Sequence, residues 1–205
     1  MNKGQLLLVS APSGAGKTSL VQAALEKDDS LRVSVSHTTR AKRPNEKEGV
    51  NYHFIDDKMF NDMIEAGDFL EYAHVFDHYY GTARTGVNDL LAQGHNVILE
   101  IDWQGAAQVK TTAPEAVGIF ILPPSPAMLA QRLTNRGQDS AEVIQRRLSE
   151  AKLEMSKAPE YNYIIINDDF EHALTDFLAI MRSIKLRTNL QIQSNPAVKA
   201  ILSLS

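Results

Sequence analysis

Four strand-length segments, each built on at least three consecutive apolar residues, punctuate the chain at 5–10, 96–101, 117–122 and 163–167. Each has strand length and lacks the alternation of a half-exposed sheet, so each is expected to be buried on both faces, as in a parallel sheet covered by helices. Residues 31–36 form a weaker strand candidate. Helical spacing of apolar residues fills the stretches 18–26, 105–111, 126–135, 141–157 and 170–190. This alternation predicts an α/β fold with a parallel sheet flanked by helices. Between 36 and 94 the texture changes: aromatics, glycines and charges interleave around short strands near 52–55 and 69–76 and short helices near 58–66 and 84–92. That stretch reads as a small mixed α+β insertion between core strands. Beyond Leu190 the chain turns polar and is interrupted by Pro196, which suggests an added short helix or a partly ordered end.

The first apolar run leads into Ala11-Pro12-Ser13-Gly14-Ala15-Gly16-Lys17-Thr18, and helical spacing follows at once. A strand, a glycine-containing loop and a helix start with Lys-Thr at the junction is the phosphate-binding arrangement: backbone N–H groups converge on the anion and the helix N-terminus adds partial positive charge. Lys17 would reach the terminal phosphates, and the Thr18 hydroxyl would ligate magnesium held between them. Ala11 stands where the common pattern has its first glycine. An ordinary helix N-terminus capped by Ser13 is the bland alternative, but it accounts for neither the strand nor the Lys-Thr pair. The chain is therefore expected to handle a nucleoside triphosphate.

Composition narrows the setting. With 205 residues, 43% of them hydrophobic, the chain can bury a core of its own, and a formal charge of −4 gives no general attraction to nucleic acid or anionic membrane. There is no cysteine, which fits a reducing compartment and leaves no thiolate metal site. No apolar run reaches membrane-spanning length, and the expected location is the cytoplasm.

Within the insertion, Ser36-His37-Thr38-Thr39-Arg40-Ala41-Lys42-Arg43 sets hydroxyls beside three cations, and guanidinium forks suit phosphate oxygens. A solvated basic loop would show the same charges. The neighbouring aromatic and acidic segments, with Tyr52, Glu71 and Tyr80, favour a binding role. A carboxylate such as Glu71 can accept two hydrogen bonds from the N1–H and 2-amino edge of guanine, an edge adenine lacks.

At this point the chain resembles the guanylate kinase family. The resemblance rests on SAPSGAGKT, SVSHTTRAKRP, EGVNYHF, FLEYAHVF, YYGT, ILEIDWQG, IFILPPS, NRGQDS and IIINDD, in that order, from Leu6 to about Arg187. It implies a P-loop core from residues 1–35, 95–125 and 151–205, a GMP-binding insertion at 36–94 and a lid at 126–150. It implies transfer of the ATP γ-phosphoryl group to GMP, and to dGMP, with Mg²⁺ accompanying ATP. Carried over by motif, GMP contacts fall on Ser36, Arg40, Arg43, Tyr52, Glu71, Tyr80, Thr82 and Asp102, with Ser36 also near the base. ATP contacts fall on Ala11 through Thr18 and on Asn167 at the adenine, while Lys17 with the lid residues Arg136 and Arg147 would serve catalysis.

Some positions depart from the family pattern. Thr82 stands where Ser is frequent and keeps the hydroxyl. Asn135 replaces a glycine before Arg136. Glu100 replaces the common Asp, so its extra methylene shifts a carboxylate expected to reach magnesium through water. Glu100 and Asp102 also read as strand-end carboxylates satisfied by local N–H groups, and Asn167 as a cap for the next helix. Arg132 and Arg146 read as packing or solvated helix residues, His74 and His78 as surface or packing residues, and Trp103 as packing beside the acceptor site. A phosphopeptide-binding module of the same fold, a kinase of another phosphorylated small molecule and a GTPase switch are the competing functions. The lysine and lid arginines disfavour the first, Glu71 with Tyr80 and Thr82 the second, and the absence of an N-K-x-D motif the third.

Overall fold

The computed structural model describes residues 4–75, 77–135 and 141–203. Five parallel strands form the main sheet: β1 (Leu6–Ser10), β2 (Leu31–Val33), β7 (Asn96–Glu100), β8 (Val117–Leu122) and β9 (Tyr163–Ile166), in the order β2-β7-β1-β8-β9. Every residue of β1 is buried, as an unalternating apolar run at the centre of a covered sheet must be. Its partners are distant in the chain: Leu6 pairs with Val97 and Leu7 with Val117.

Helices cover both faces of the central strands, whereas β9, at the edge of the sheet, leaves Ile164 and Ile166 exposed, so the double burial expected over 163–167 does not hold there. On one side α1 (Lys17–Lys27) and α7 (Phe170–Lys185) close a cluster in which Leu20, Val21, Phe177 and Met181 meet Leu7, Val9 and Ile119. On the other, α3 (Arg84–Ala92) and α4 (Trp103–Thr112) bring Val87, Leu91, Ala106 and Val109 against Leu6, Leu8, Val97 and Leu99. Thus α3 packs on the core sheet although it falls in the stretch expected for the insertion. Burying each large side chain of this kind is worth about 1.5–3 kcal/mol.

The insertion builds a second sheet from β3 (His37–Thr38), β4 (His53–Phe54), β5 (Phe69–Val75) and β6 (His78–Ala83), ordered β4-β3-β6-β5, with α2 (Asp57–Ala66) laid against it. It is mixed, since β3 runs parallel to β4 and antiparallel to β6. Phe60 of α2 stacks on Phe69 and Tyr79, which gives this sheet an aromatic core of its own. His74 and His78 lie on the two arms of the β5–β6 hairpin, and His74 packs edge-on to Tyr79.

After β8, α5 (Pro126–Asn135) and α6 (Ala141–Ser156) form a helical pair joined by Leu129, Leu133 and Ala151. Helix α6 runs unbroken past residue 150, so the expected lid boundary falls inside a helix. The long helix expected over 170–190 ends at Lys185. It is followed by α8 (Thr188–Ser194) and α9 (Pro196–Leu202), where the Asn195 side chain caps α9 and Pro196 opens it. Proline at the first helical position lacks only an N–H that would have had no partner, so here it starts a helix. No helix among the described residues is long and apolar enough to cross a membrane.

Candidate active site

The loop between β1 and α1 turns through a hydrogen bond from the Ala15 N–H to the Pro12 carbonyl, 3.0 Å, and Gly16 stands just before the helix at φ 93°. That left-handed backbone favours glycine, and a Cβ on Gly16 would lie 2.4 Å from Asn167 Nδ2. Behind the turn, Asn167 Nδ2 donates to the Ala15 carbonyl at 2.8 Å, and Arg132 Nη2 donates to the Asn167 carbonyl at 3.0 Å. Asn167 is therefore a buried strut between β9 and the loop. The cap of the next helix is Asp169, whose side chain accepts from the His172 N–H. Arg132, read from sequence as packing or solvated, straps the same turn.

The end of strand β7 and the cap of α4 just after it deliver two carboxylates to the loop's open side. The Thr18 hydroxyl donates to Glu100 Oε2 at 2.8 Å, so the longer side chain reaches the P-loop. A hydroxyl and a carboxylate held together offer the hard oxygen donors that magnesium takes. Asp102 caps α4, its Oδ1 accepting from the Gly105 N–H at 2.8 Å. The local expectation for Asp102, a carboxylate satisfied by a nearby N–H, holds, and the same side chain lines the cleft.

Across the cleft, Glu71 of β5 is 4% exposed and accepts from the Thr82 hydroxyl at 2.5 Å. The Ser36 and Thr82 hydroxyls lie 3.4 Å apart, so Ser36, Thr82 and Glu71 form one polar cluster. Burial, first, and the Asp102 charge push the Glu71 carboxyl up to about 7, with the Thr82 hydrogen bond acting against them. The carboxylate lies on the backbone of α4: a Cβ on Gly105 would come within 2.5 Å of Glu71 Oε2.

One cavity of about 370 Å³ joins these halves. Ala11, Pro12, Ser13, Gly14, Gly16, Lys17, Thr18, Glu100 and Asp102 line it on the core side, and Ser36, Arg43, Tyr52, Glu71 and Tyr80 on the insertion side. Arg40 stands behind that second wall. Its guanidinium lies 5.5 Å from the Tyr52 ring centroid and donates to Glu46 Oε1 at 2.7 Å. Glu46 also accepts from the Arg43 N–H at 2.9 Å, so one carboxylate ties down both arginines' loop. Arg147 is on α6 and does not line the cavity. Arg136 lies outside the described residues. Arg146 pairs with Glu150 at 3.0 Å and reaches Asp77 at 3.9 Å, a solvated position as expected.

Two residues escaped the sequence reading. Glu46 sits in an irregular loop six positions after Arg40, where no periodicity links them. Glu154, on the last turn of α6, lines the cavity beside the P-loop. Its only sequence signal is its place beside the apolar stripe of Leu148, Ala151 and Met155.

A family model described as guanylate kinase matches residues 3–184. The guanylate kinase of Hahella chejuensis is 58% identical over 191 residues, covering 93% of this chain and 92% of that protein. That of Vibrio cholerae is 52% identical over 204 residues, covering 98% and 99%. The crystal structure of guanylate kinase from Anaplasma phagocytophilum aligns at a TM-score of 0.77 and 31% identity, over 95% of this chain and 96% of that one.

Proposed function

The chain belongs to the guanylate kinase family, and from that premise we propose how its cleft brings ATP and GMP together. The enzyme transfers the γ-phosphoryl group of ATP to GMP, giving ADP and GDP. The observation that carries the residue assignments is the single cavity with Lys17 and Thr18 on one wall and Glu71 and Tyr80 on the other.

On the donor side, the backbone from Ala11 to Thr18 cradles the ATP phosphates, and the Lys17 ammonium neutralises the group in transfer. Thr18 and Glu100 are the residues to hold Mg²⁺, directly and through water respectively; bound there, the ion supplies charge neutralisation at the phosphate oxygens. Asn167 supports the phosphate-binding turn from behind, and we assign it that role beside the expected adenine contact.

On the acceptor side, Glu71 accepts from the guanine N1–H and 2-amino group, with Thr82 and Ser36 completing the base site. Tyr52, Tyr80, Arg43 and Arg40 take the GMP phosphate; Arg40 must exchange Glu46 for it, at least in part. Asp102 closes the site between base and phosphate. The GMP phosphate oxygen is already anionic at neutral pH, so no general base is required, and catalysis is alignment and charge neutralisation. Arg136 and Arg147 act when the lid at 126–150 closes over the insertion at 36–94 and the core. We place the reaction in the cytoplasm, in keeping with a chain without cysteine.

A coupled ADP-release assay with GMP, dGMP, AMP, CMP and UMP as acceptors tests the reading. Turnover should be high with GMP and low with AMP, CMP and UMP. Comparable turnover with all five would mean that Glu71 does not read the base.

A further inference from the structure

Helix α6 carries Glu154 into the cavity on its last turn, and the side chain is mostly withdrawn from solvent. Among the groups it faces are two assigned above to the triphosphate, the Lys17 ammonium and the Ser13 backbone N–H. We propose that Glu154 is a built-in competitor of the triphosphate, a carboxylate that the lid helix holds at the mouth of the phosphate-binding loop and that an incoming nucleotide must displace or discharge. The proposal rests on the P-loop reading above.

The surroundings leave little room for a second anion. Lys17 comes from α1, Asp102 from the cap of α4, Glu150 from one turn earlier on α6, and Tyr161 from just beyond it. Three of these four are acidic or neutral. Burial and then Asp102 raise the Glu154 carboxyl to about 7, while Lys17 and the Ser13 N–H pull the other way. At neutral pH the group is thus partly charged, at a place built to attract negative charge. Phosphate oxygens arriving beside Lys17 repel a carboxylate there, as like charges sharing one site do.

Where Glu154 rides gives the competition a mechanical side. Three residues on, the Lys157 ammonium lies 4.8 Å from the ring centroid of Trp103, the first residue of α4. Ala151, one turn before, is buried against Leu129 and Leu133 of α5. Pushing Glu154 away from the loop therefore shifts the end of α6 against Trp103 and tilts the helix pair. Triphosphate occupancy and lid position are coupled through one side chain. Trp103 is the chain's single tryptophan, so its fluorescence reports that shift.

The test compares the full-length protein with Glu154→Gln and Glu154→Ser, measuring ADP, ATP and GMP binding by calorimetry and Trp103 fluorescence. Removing the charge should tighten ADP and ATP binding by at least about threefold near pH 8. GMP affinity should be unchanged, which also shows that the variants fold. Because the carboxyl becomes neutral below about 7, the advantage of the glutamine variant should shrink toward none near pH 6, a profile that altered packing does not produce. Equal or weaker ADP and ATP binding by both variants at pH 8 would overturn the proposal. Lys17→Ala separates the two levels: if it weakens ATP binding while the Glu154 variants behave as wild type, the competitor idea fails and the P-loop reading stands. If it leaves ATP binding intact, the P-loop reading itself fails and takes this proposal with it.

Discussion

In the role proposed for it, Glu71 has to serve two needs that pull against each other. Guanine recognition needs an acceptor carboxylate, yet the pocket that excludes water from it raises its pKa to about 7. GMP binding should therefore draw a proton off Glu71, and GMP affinity should weaken as pH falls below about 7, where the carboxyl is neutral. Glu71→Gln keeps the shape but turns one acceptor into a donor facing donors, a mismatch of about 1–3 kcal/mol, or more for the lost charge. GMP kcat/KM should fall at least about tenfold and the GMP to AMP preference should shrink. Steady-state kinetics with both acceptors checks this, and an unchanged preference would remove Glu71 from base recognition. A second prediction follows from Gly105. A methyl there would stand 2.5 Å from Glu71 Oε2, so Gly105→Ala should raise KM for GMP about tenfold or more while leaving KM for ATP nearly unchanged. Equal rises in both would mean general disruption.

At the scale of elements, the P-loop is a turn held from both sides. Asn167 and Arg132 fix its back, and Thr18 with Glu100 fixes its front. Lys17→Ala should nearly abolish turnover while calorimetry still detects GMP, because the GMP contacts proposed above, Asp102 aside, lie on the insertion. The lid helices make the complementary case. Arg147 does not line the cavity and is proposed to act on closure, so Arg147→Ala should lower kcat more than it weakens GMP binding to the free enzyme. A loss of GMP affinity with kcat intact would put Arg147 in the acceptor site instead. Legibility from sequence follows the same division. The loop from Ala11 to Thr18 could be read because phosphate binding demands particular residues at fixed spacing, and the central strands because double burial leaves unbroken apolar runs. Glu154 and the Glu46–Arg40 pair could not, since each depends on where separate segments meet in space. Of the two readings offered for the tail around Pro196, the short helix is the one found, since proline ends a helix from within but begins one from its first position.

At the scale of the whole molecule, the cleft holds a carboxylate whose burial is unfavourable to its charge. Glu71 titrates near 7 when folded against an ordinary 4.5, so between those values the folded state holds the proton more tightly. Stability is therefore highest at the acid end of that window and declines as pH rises through about 7. From pH 6 to pH 8 the loss from this one group is of order 1 kcal/mol, about 2–4 °C in Tm for a chain of this size. Thermal unfolding of wild type and Glu71→Gln at the two pH values measures it. The variant should lose less on going to pH 8, and parallel losses would refute the raised pKa as the cause.

The layout of the central sheet also sets a schedule for the nascent chain. Strand β1 comes first in the sequence, but its two neighbours are β7 and β8, and Leu6 waits for Val97 and Leu7 for Val117. The insertion, with its own stacked Phe60, Phe69 and Tyr79, is complete before either neighbour has been synthesised. A growing polypeptide would thus collapse the insertion first and carry β1, apolar from Leu6 to Val9, unpaired until β7 leaves the ribosome and paired on one side alone until β8 follows. Such long-range closure is slow and open to misassociation, and the loop that leads to Lys17 follows directly on the strand kept waiting.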